Sequence, residues 1–130
     1  MTTPQNYYFT KDHEWLAIES DGKSAKIGIS DYAQHKLGDI TYVELPTPAK
    51  SFKQGDVLTT VESVKAASDI FAPVSCKVIA VNDALDAAPE TVNAAPYTGG
   101  WIVTIELTSP DEVKTLMSGA DYDAYIGSLE

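Results

Sequence analysis

The segment Val61-Glu62-Ser63-Val64-Lys65-Ala66-Ala67-Ser68-Asp69-Ile70-Phe71-Ala72-Pro73 sets one lysine between two strand-like runs, with small residues beside it. A turn there places Lys65 at the tip of a hairpin spanning about residues 57–73. A rigid hairpin projects the amine into solvent, where an enzyme can reach and acylate it. Ser63, Ala66 and Ala67 leave room for that approach. On the residues alone an ordinary surface lysine in a turn is the simpler reading, because exposed lysines are common. Other chemistry is poorly provided for. His13 and His35 have no clustered Cys or carboxylate partners and make a weak metal or acid–base set. No nucleophile elbow, phosphate loop or zinc spacing occurs, so a non-catalytic protein with no resident metal is expected.

The elements that must hold such a hairpin are mostly short and β-like. Trp15-Leu16-Ala17-Ile18-Glu19 and Ala25-Lys26-Ile27-Gly28-Ile29 flank Asp21-Gly22, a pair suited to the positive φ angles of a tight turn. Ser30 caps a two-turn helix through Asp31–Leu37, with Gly38 at its left-handed exit. From Gly38 to Val81 the chain reads as short strands interrupted by Pro46, Pro48, Gly55 and Pro73. Gly38-Asp39-Ile40 is echoed by Gly55-Asp56-Val57, either as two similar β units or by coincidence. Asn82 to Gly100 reads as surface connections. Trp101, Val103, Ile105 and Leu107 alternate with Ile102, Thr104 and Glu106 as in a half-buried strand, with Trp101 in the core. A helical C-terminal segment follows at about 109–129. Ser109-Pro110-Asp111-Glu112 forms its capping box, Val113, Leu116 and Met117 its apolar stripe, and Gly119 its end. Asp121 then caps a last turn carrying Tyr122, Tyr125 and Ile126, which are packing residues.

At 130 residues and 44% hydrophobic content, the chain 1–130 is expected to form one domain. A formal charge of −10 argues against nucleic acid and anionic membranes as partners, since both would repel it. The acidic residues are spread along the chain, which suits either a solubilising surface or a docking surface for basic partners. Cys76 is alone, excluding an intramolecular disulfide and fitting a reducing compartment. The N-terminal segment has neither a basic end nor an apolar run, and no membrane span is visible, so a cytoplasmic location is expected.

Glu62-Ser63-Val64-Lys65-Ala66, continued by Ser68-Asp69-Ile70 and Ala72-Pro73, resembles the lipoate-attachment motif of the H proteins of the glycine cleavage system. Similar landmarks run along nearly the whole chain in family order: His13-Glu14-Trp15, Gly28-Ile29, Tyr32-Ala33-Gln34, Leu37-Gly38-Asp39-Ile40, Val43-Glu44-Leu45-Pro46, Val81-Asn82, Pro96-Tyr97 and Gly100-Trp101. Biotin carriers usually set methionine on both sides of their lysine, where this chain has Val64 and Ala66. Lipoyl domains of 2-oxo acid dehydrogenases are usually shorter and followed by linkers.

The resemblance implies a mainly β fold, the barrel-sandwich hybrid of the lipoyl/biotinyl-carrier type, with two interlocked small sheets, a short internal helix and C-terminal helices. It implies lipoate bound covalently to Lys65, with Glu62, Ser63, Val64 and Ala66 as the context read by lipoyl- or octanoyl-transferring enzymes. Its role would be to carry an aminomethyl group from glycine decarboxylase to an aminomethyltransferase, and reducing equivalents to dihydrolipoamide dehydrogenase. The alternatives are an H-like protein relaying lipoyl groups to other complexes, and an interaction domain that is never lipoylated. Because a loaded arm ends in a protonated amine, a sheltering pocket should offer carboxylates, and Glu14 and Asp69 are the candidates. Solvated surface carboxylates are the bland reading of both. Ala49 and Cys76 stand where the family usually has glycine; a positive φ at either would cost about 1 kcal/mol or more.

Overall fold

Apolar residues recur at every second position in several short runs, as at Trp101, Val103, Ile105 and Leu107, a period that buries one face of a strand. The computed structural model describes residues 2–129. Its strands are β1 (Tyr8–Phe9), β2 (Glu14–Ile18), β3 (Ser24–Ile29), β4 (Ile40–Val43), β5 (Ser51–Phe52), β6 (Val57–Ser63), β7 (Ala67–Phe71), β8 (Cys76–Val81), β9 (Val103–Leu107) and β10 (Met117–Ser118). Helices α1 (Asp31–Leu37), α2 (Ala84–Ala87), α3 (Thr91–Ala94) and α4 (Gly119–Leu129) interleave with them.

Two antiparallel sheets result, ordered β10-β1-β2-β3-β9-β8-β5 and β4-β6-β7, and neither closes into a barrel. The architecture is the expected mainly β sandwich with a short internal helix and a C-terminal helix. The larger sheet has seven strands rather than few because the two-residue strands β1, β5 and β10 extend it. Pairings that short leave almost no periodic signal in a sequence.

Between the sheets lie Leu16, Ile27, Ile29, Val78 and Ile105 from one and Ile40, Val43, Val61 and Ile70 from the other. Adjacent residues of a strand face opposite ways, and both Trp15 and Leu16 of β2 are fully buried. The larger sheet is therefore covered on its second face too. There Trp15 joins Phe9, Tyr97 and Tyr122, with Tyr7, Tyr125 and Ile126 packed against them.

Ser30 caps α1 as expected, its hydroxyl accepting from the Ala33 amide. The C-terminal segment departs from expectation. Pro110–Thr115 is a 3-10 helix, Ser109 makes no side-chain cap, and Glu112 instead accepts from the Ser75 amide and hydroxyl. Met117 leaves the predicted stripe to pair with Phe9, and Gly119 begins α4 rather than ending a helix. The Ser118 hydroxyl, not Asp121, accepts the first-turn amide, that of Asp121. Trp101 precedes β9 and is only half-buried, with the Lys26 amine 5.4 Å from its ring; Ile102 takes the buried place beside it. The connection from Asn82 to Gly100 includes two helical turns and buried Leu85 and Val92.

Candidate functional site

Strand β6 is central in the smaller sheet, flanked by β4 and β7, so the first arm of the Lys65 hairpin is bonded along both edges. Glu62 faces Ala67 and Val61 faces Ser68, leaving Val64-Lys65-Ala66 to make the turn. Ser63 builds that turn. Its hydroxyl accepts from the amides of Lys65 and Ala66, each at 3.2 Å, and donates to the Ala66 carbonyl at 3.1 Å. Local bonds of this kind favour turns over continued strand. The Ser63 amide closes the loop on the same carbonyl at 2.8 Å.

Lys65 is exposed, and its amine has no hydrogen bond or ion pair among the described residues. Val64, 66% exposed, donates its amide to the Asp39 carbonyl at 3.0 Å, tying the tip to the turn after α1. That turn needs a glycine. Gly38 has φ +79°, and a methyl built on it would come 3.4 Å from Lys65 Cε and 3.5 Å from Val64 Cγ2. Gly55, its sequence echo, has φ +90° and likewise precedes a strand of the smaller sheet, so the echo reflects a repeated turn. Gly38 and Asp39 escaped notice as site residues because nothing in their types points to a lysine 26 or 27 positions away. Glu62 and Ala66 are exposed beside Lys65, and the Glu62 carbonyl accepts from the Thr41 hydroxyl.

The two candidate carboxylates differ in setting. Glu14, at the start of β2, is 1% exposed and accepts from the Thr10 hydroxyl and the Phe71 amide. Burial pushes its carboxyl up to about 7, against the pull of those bonds, so near neutral pH it is half protonated. It lines a cleft of about 240 Å³ with Phe71, Ala72, Pro73 and Gln54. Asp69 is exposed and accepts from Thr60. Its side chain leaves β7 on the same face as that of Phe71, whose amide binds Glu14. Asp69 is four residues and Phe71 six residues beyond Lys65 along the chain. Neither of the glycine substitutions disturbs this end. Ala49 does hold a positive φ, +73°, whereas Cys76 is a fully buried strand residue opposite Phe52 and Leu107.

A model of the glycine cleavage H-protein family matches residues 7–128. The chain belongs to that family. It is 52% identical over 121 residues to the glycine cleavage system H protein of Caulobacter vibrioides, covering 93% of this chain and 98% of the relative. The H protein of Opitutus terrae is 49% identical over 124 residues, 95% and 97% of the two chains. Among solved structures, the glycine cleavage system H protein of Mycobacterium marinum superposes with a TM-score of 0.87 at 31% identity, over 95% of this chain and 98% of that one. Membership of this family supports a lipoate-carrier role in glycine cleavage. No helix among the described residues is long and apolar enough to cross a membrane.

Proposed function

We propose that Lys65 holds lipoate as an amide on Nζ. The protein, one carrier domain over 1–130, then takes an aminomethyl group from a pyridoxal-phosphate-dependent glycine decarboxylase to a folate-dependent aminomethyltransferase, and reducing equivalents to dihydrolipoamide dehydrogenase. The observation that carries this reading is the unpaired Lys65 amine at the tip of a hairpin whose first arm is bonded along both edges, in a chain of this family. When attached, lipoate supplies a disulfide able to accept the one-carbon unit and two electrons. The chain's own part is presentation: Ser63 shapes the turn, and Glu62, Val64 and Ala66 form the face met by a lipoyl- or octanoyl-transferring enzyme. A tether of this sort gives the carried group an effective concentration on the order of millimolar at a docked partner. The protein itself is non-catalytic and cytoplasmic in this reading, in keeping with a lone cysteine.

Glu14 and Asp69 shelter the protonated amine of the loaded arm. A cation entering the cleft favours the ionised Glu14 carboxylate, so shelter strengthens as pH rises through about 7. Intact-mass measurement of natively expressed protein under lipoate-replete conditions tests the attachment. One lipoyl increment is expected on the wild type and none on Lys65→Arg; an unmodified wild type would overturn the reading. Glycine–bicarbonate exchange with the decarboxylase then separates glycine cleavage from lipoyl relay. For the shelter, the loaded Glu14→Gln protein should release its group faster than the wild type at pH 8, and equal rates would exclude it.

A further inference from the structure

Asn93, on α3, was silent in the sequence, yet its side chain uses both donors and its oxygen on one short segment. Nδ2 donates to Gln34 Oε1 and to the Gly38 carbonyl, each at 2.9 Å, and Oδ1 accepts from the Ile40 amide at 2.9 Å. These partners leave no choice of amide orientation, since the oxygen must face an N–H and the nitrogen two acceptors. Gln34 is itself buried and anchored to Asp31 at 2.8 Å. The segment so gripped, 38–40, is the one whose Asp39 carbonyl holds the Val64 amide and whose Gly38 lies against the stem of Lys65.

We infer that Asn93 is a positioning residue for Lys65, acting through the 38–40 turn to hold the hairpin tip in the pose a modifying enzyme recognises. The inference rests on the reading of Lys65 as a lipoylation site. Its physical content is a population: a loosened turn leaves the tip in the recognised pose only part of the time, and apparent affinity falls by that fraction. Chemistry on the amine, once the pose is bound, is unaffected. The signature is a raised KM with kcat unchanged.

Two other features suggest that the grip serves the tip rather than general stability. Gly38 keeps a φ of +79°, strained for any residue with a side chain, in van der Waals reach of the lysine stem. The apolar anchoring of α3 comes separately, through fully buried Val92.

The test uses the unmodified full-length chain as acceptor for an ATP-dependent lipoate ligase, with free lipoate and ATP. Asn93→Asp keeps the acceptor for Ile40 but replaces the donor nitrogen with one oxygen that faces two acceptors, Gln34 Oε1 and the Gly38 carbonyl. It should raise the acceptor KM roughly fivefold or more with kcat within about twofold, by the population argument. Amide hydrogen exchange at Val64 should quicken roughly tenfold, since its bond depends on the same turn. Asn93→Ala stands in, with the same expectations, if the aspartate variant does not fold. Val92→Ala, a packing change on the same helix, should lower Tm without moving KM or Val64 exchange. Wild-type KM and exchange in the Asn93 variant would overturn the inference, as would an equal KM rise in Val92→Ala. A wild type that accepts no lipoate would instead overturn the reading of Lys65, and Val64 exchange alone would then judge the brace.

Discussion

The Lys65 hairpin tip and the aromatic cluster beneath α4 hold their shapes by different means. At the tip, residues 62–67 are exposed or half-exposed, and order comes from backbone amides, the Ser63 hydroxyl and the Asp39 carbonyl. In the cluster, Phe9 stacks on Tyr122 with ring centres 4.4 Å apart and planes 6° apart. Trp15 Nε1 donates to the carbonyls of Ile29 and Pro96, and the Tyr122 hydroxyl sits between His13 Nδ1 and Ser30 Oγ. A tip that enzymes must enter cannot be walled in by side chains, so its order is made from short-range bonds. Burial elsewhere supplies the stability that such bonds lack. Substitutions at the two ends should therefore separate stability from modification.

The strongest way to break that separation is Trp15→Ala. Removing a buried indole should destabilise the protein by about 4 kcal/mol, read by urea unfolding, while the folded fraction still accepts lipoate at the wild-type rate. A parallel loss of lipoylation would mean the two ends are coupled. Glu14, next to Trp15 in β2, probes the boundary between them through pH. Its folded carboxyl titrates near 7 against an ordinary 4.5, so the folded state holds the extra proton. That contribution is complete below about pH 4.5 and is lost as pH rises through 7, a change of roughly 3 kcal/mol. Unfolding free energies measured from pH 4.5 to 8 should fall for the wild type relative to Glu14→Gln, whose slope lacks this component.

Smaller effects sharpen the contrast. Ser63→Ala removes the hydroxyl that makes three bonds in the tip and should cost only about 1 kcal/mol, because water replaces them at an exposed site. Its lipoylation rate should nevertheless fall severalfold, the reverse of the Trp15 pattern. Smallest of all is Ala49→Gly. It relieves a φ of +73° and should stabilise by about 0.5 kcal/mol after the added freedom of the unfolded glycine is set against it. Cys76→Gly, the other change toward family habit, should destabilise, since it empties a fully buried strand position.

What the sequence made legible follows the same division. The hairpin, its lysine and the glycine turns depend on neighbours a few positions apart, and their residue types announce them. The segment from Ser109 to Gly119 carries an equally good local signal for a helix and does not form the one it suggests. Glu112 finds Ser75 and Met117 finds Phe9, partners no local pattern contains. Asn93 was missed for the same reason: an asparagine in a polar connection looks like a loop residue until its three distant partners are known. Glu14 stands in the family-like run His13-Glu14-Trp15, but its burial, which raises its pKa, and its bond from the Phe71 amide, 57 positions away, are set by the tertiary fold and have no local signal.

The pairing of β1 with β10 joins residues more than a hundred positions apart, Tyr8 with Ser118 and Phe9 with Met117. During synthesis from the N-terminus, the Lys65 hairpin is therefore finished while one edge of β1 is still bare and the faces of Phe9 and Trp15 wait for α4. Only Met117 and the residues of α4 that follow it cover them. Bare edges and aromatic faces are what drive chains to associate and draw chaperones. A chain halted after Leu107 should accordingly be retained by chaperones or aggregate, checked by ribosome-release fractionation, and only a copy that includes α4 should pass into the soluble pool. Helix α4 thus doubles as the cover for an edge and a face that are made long before it.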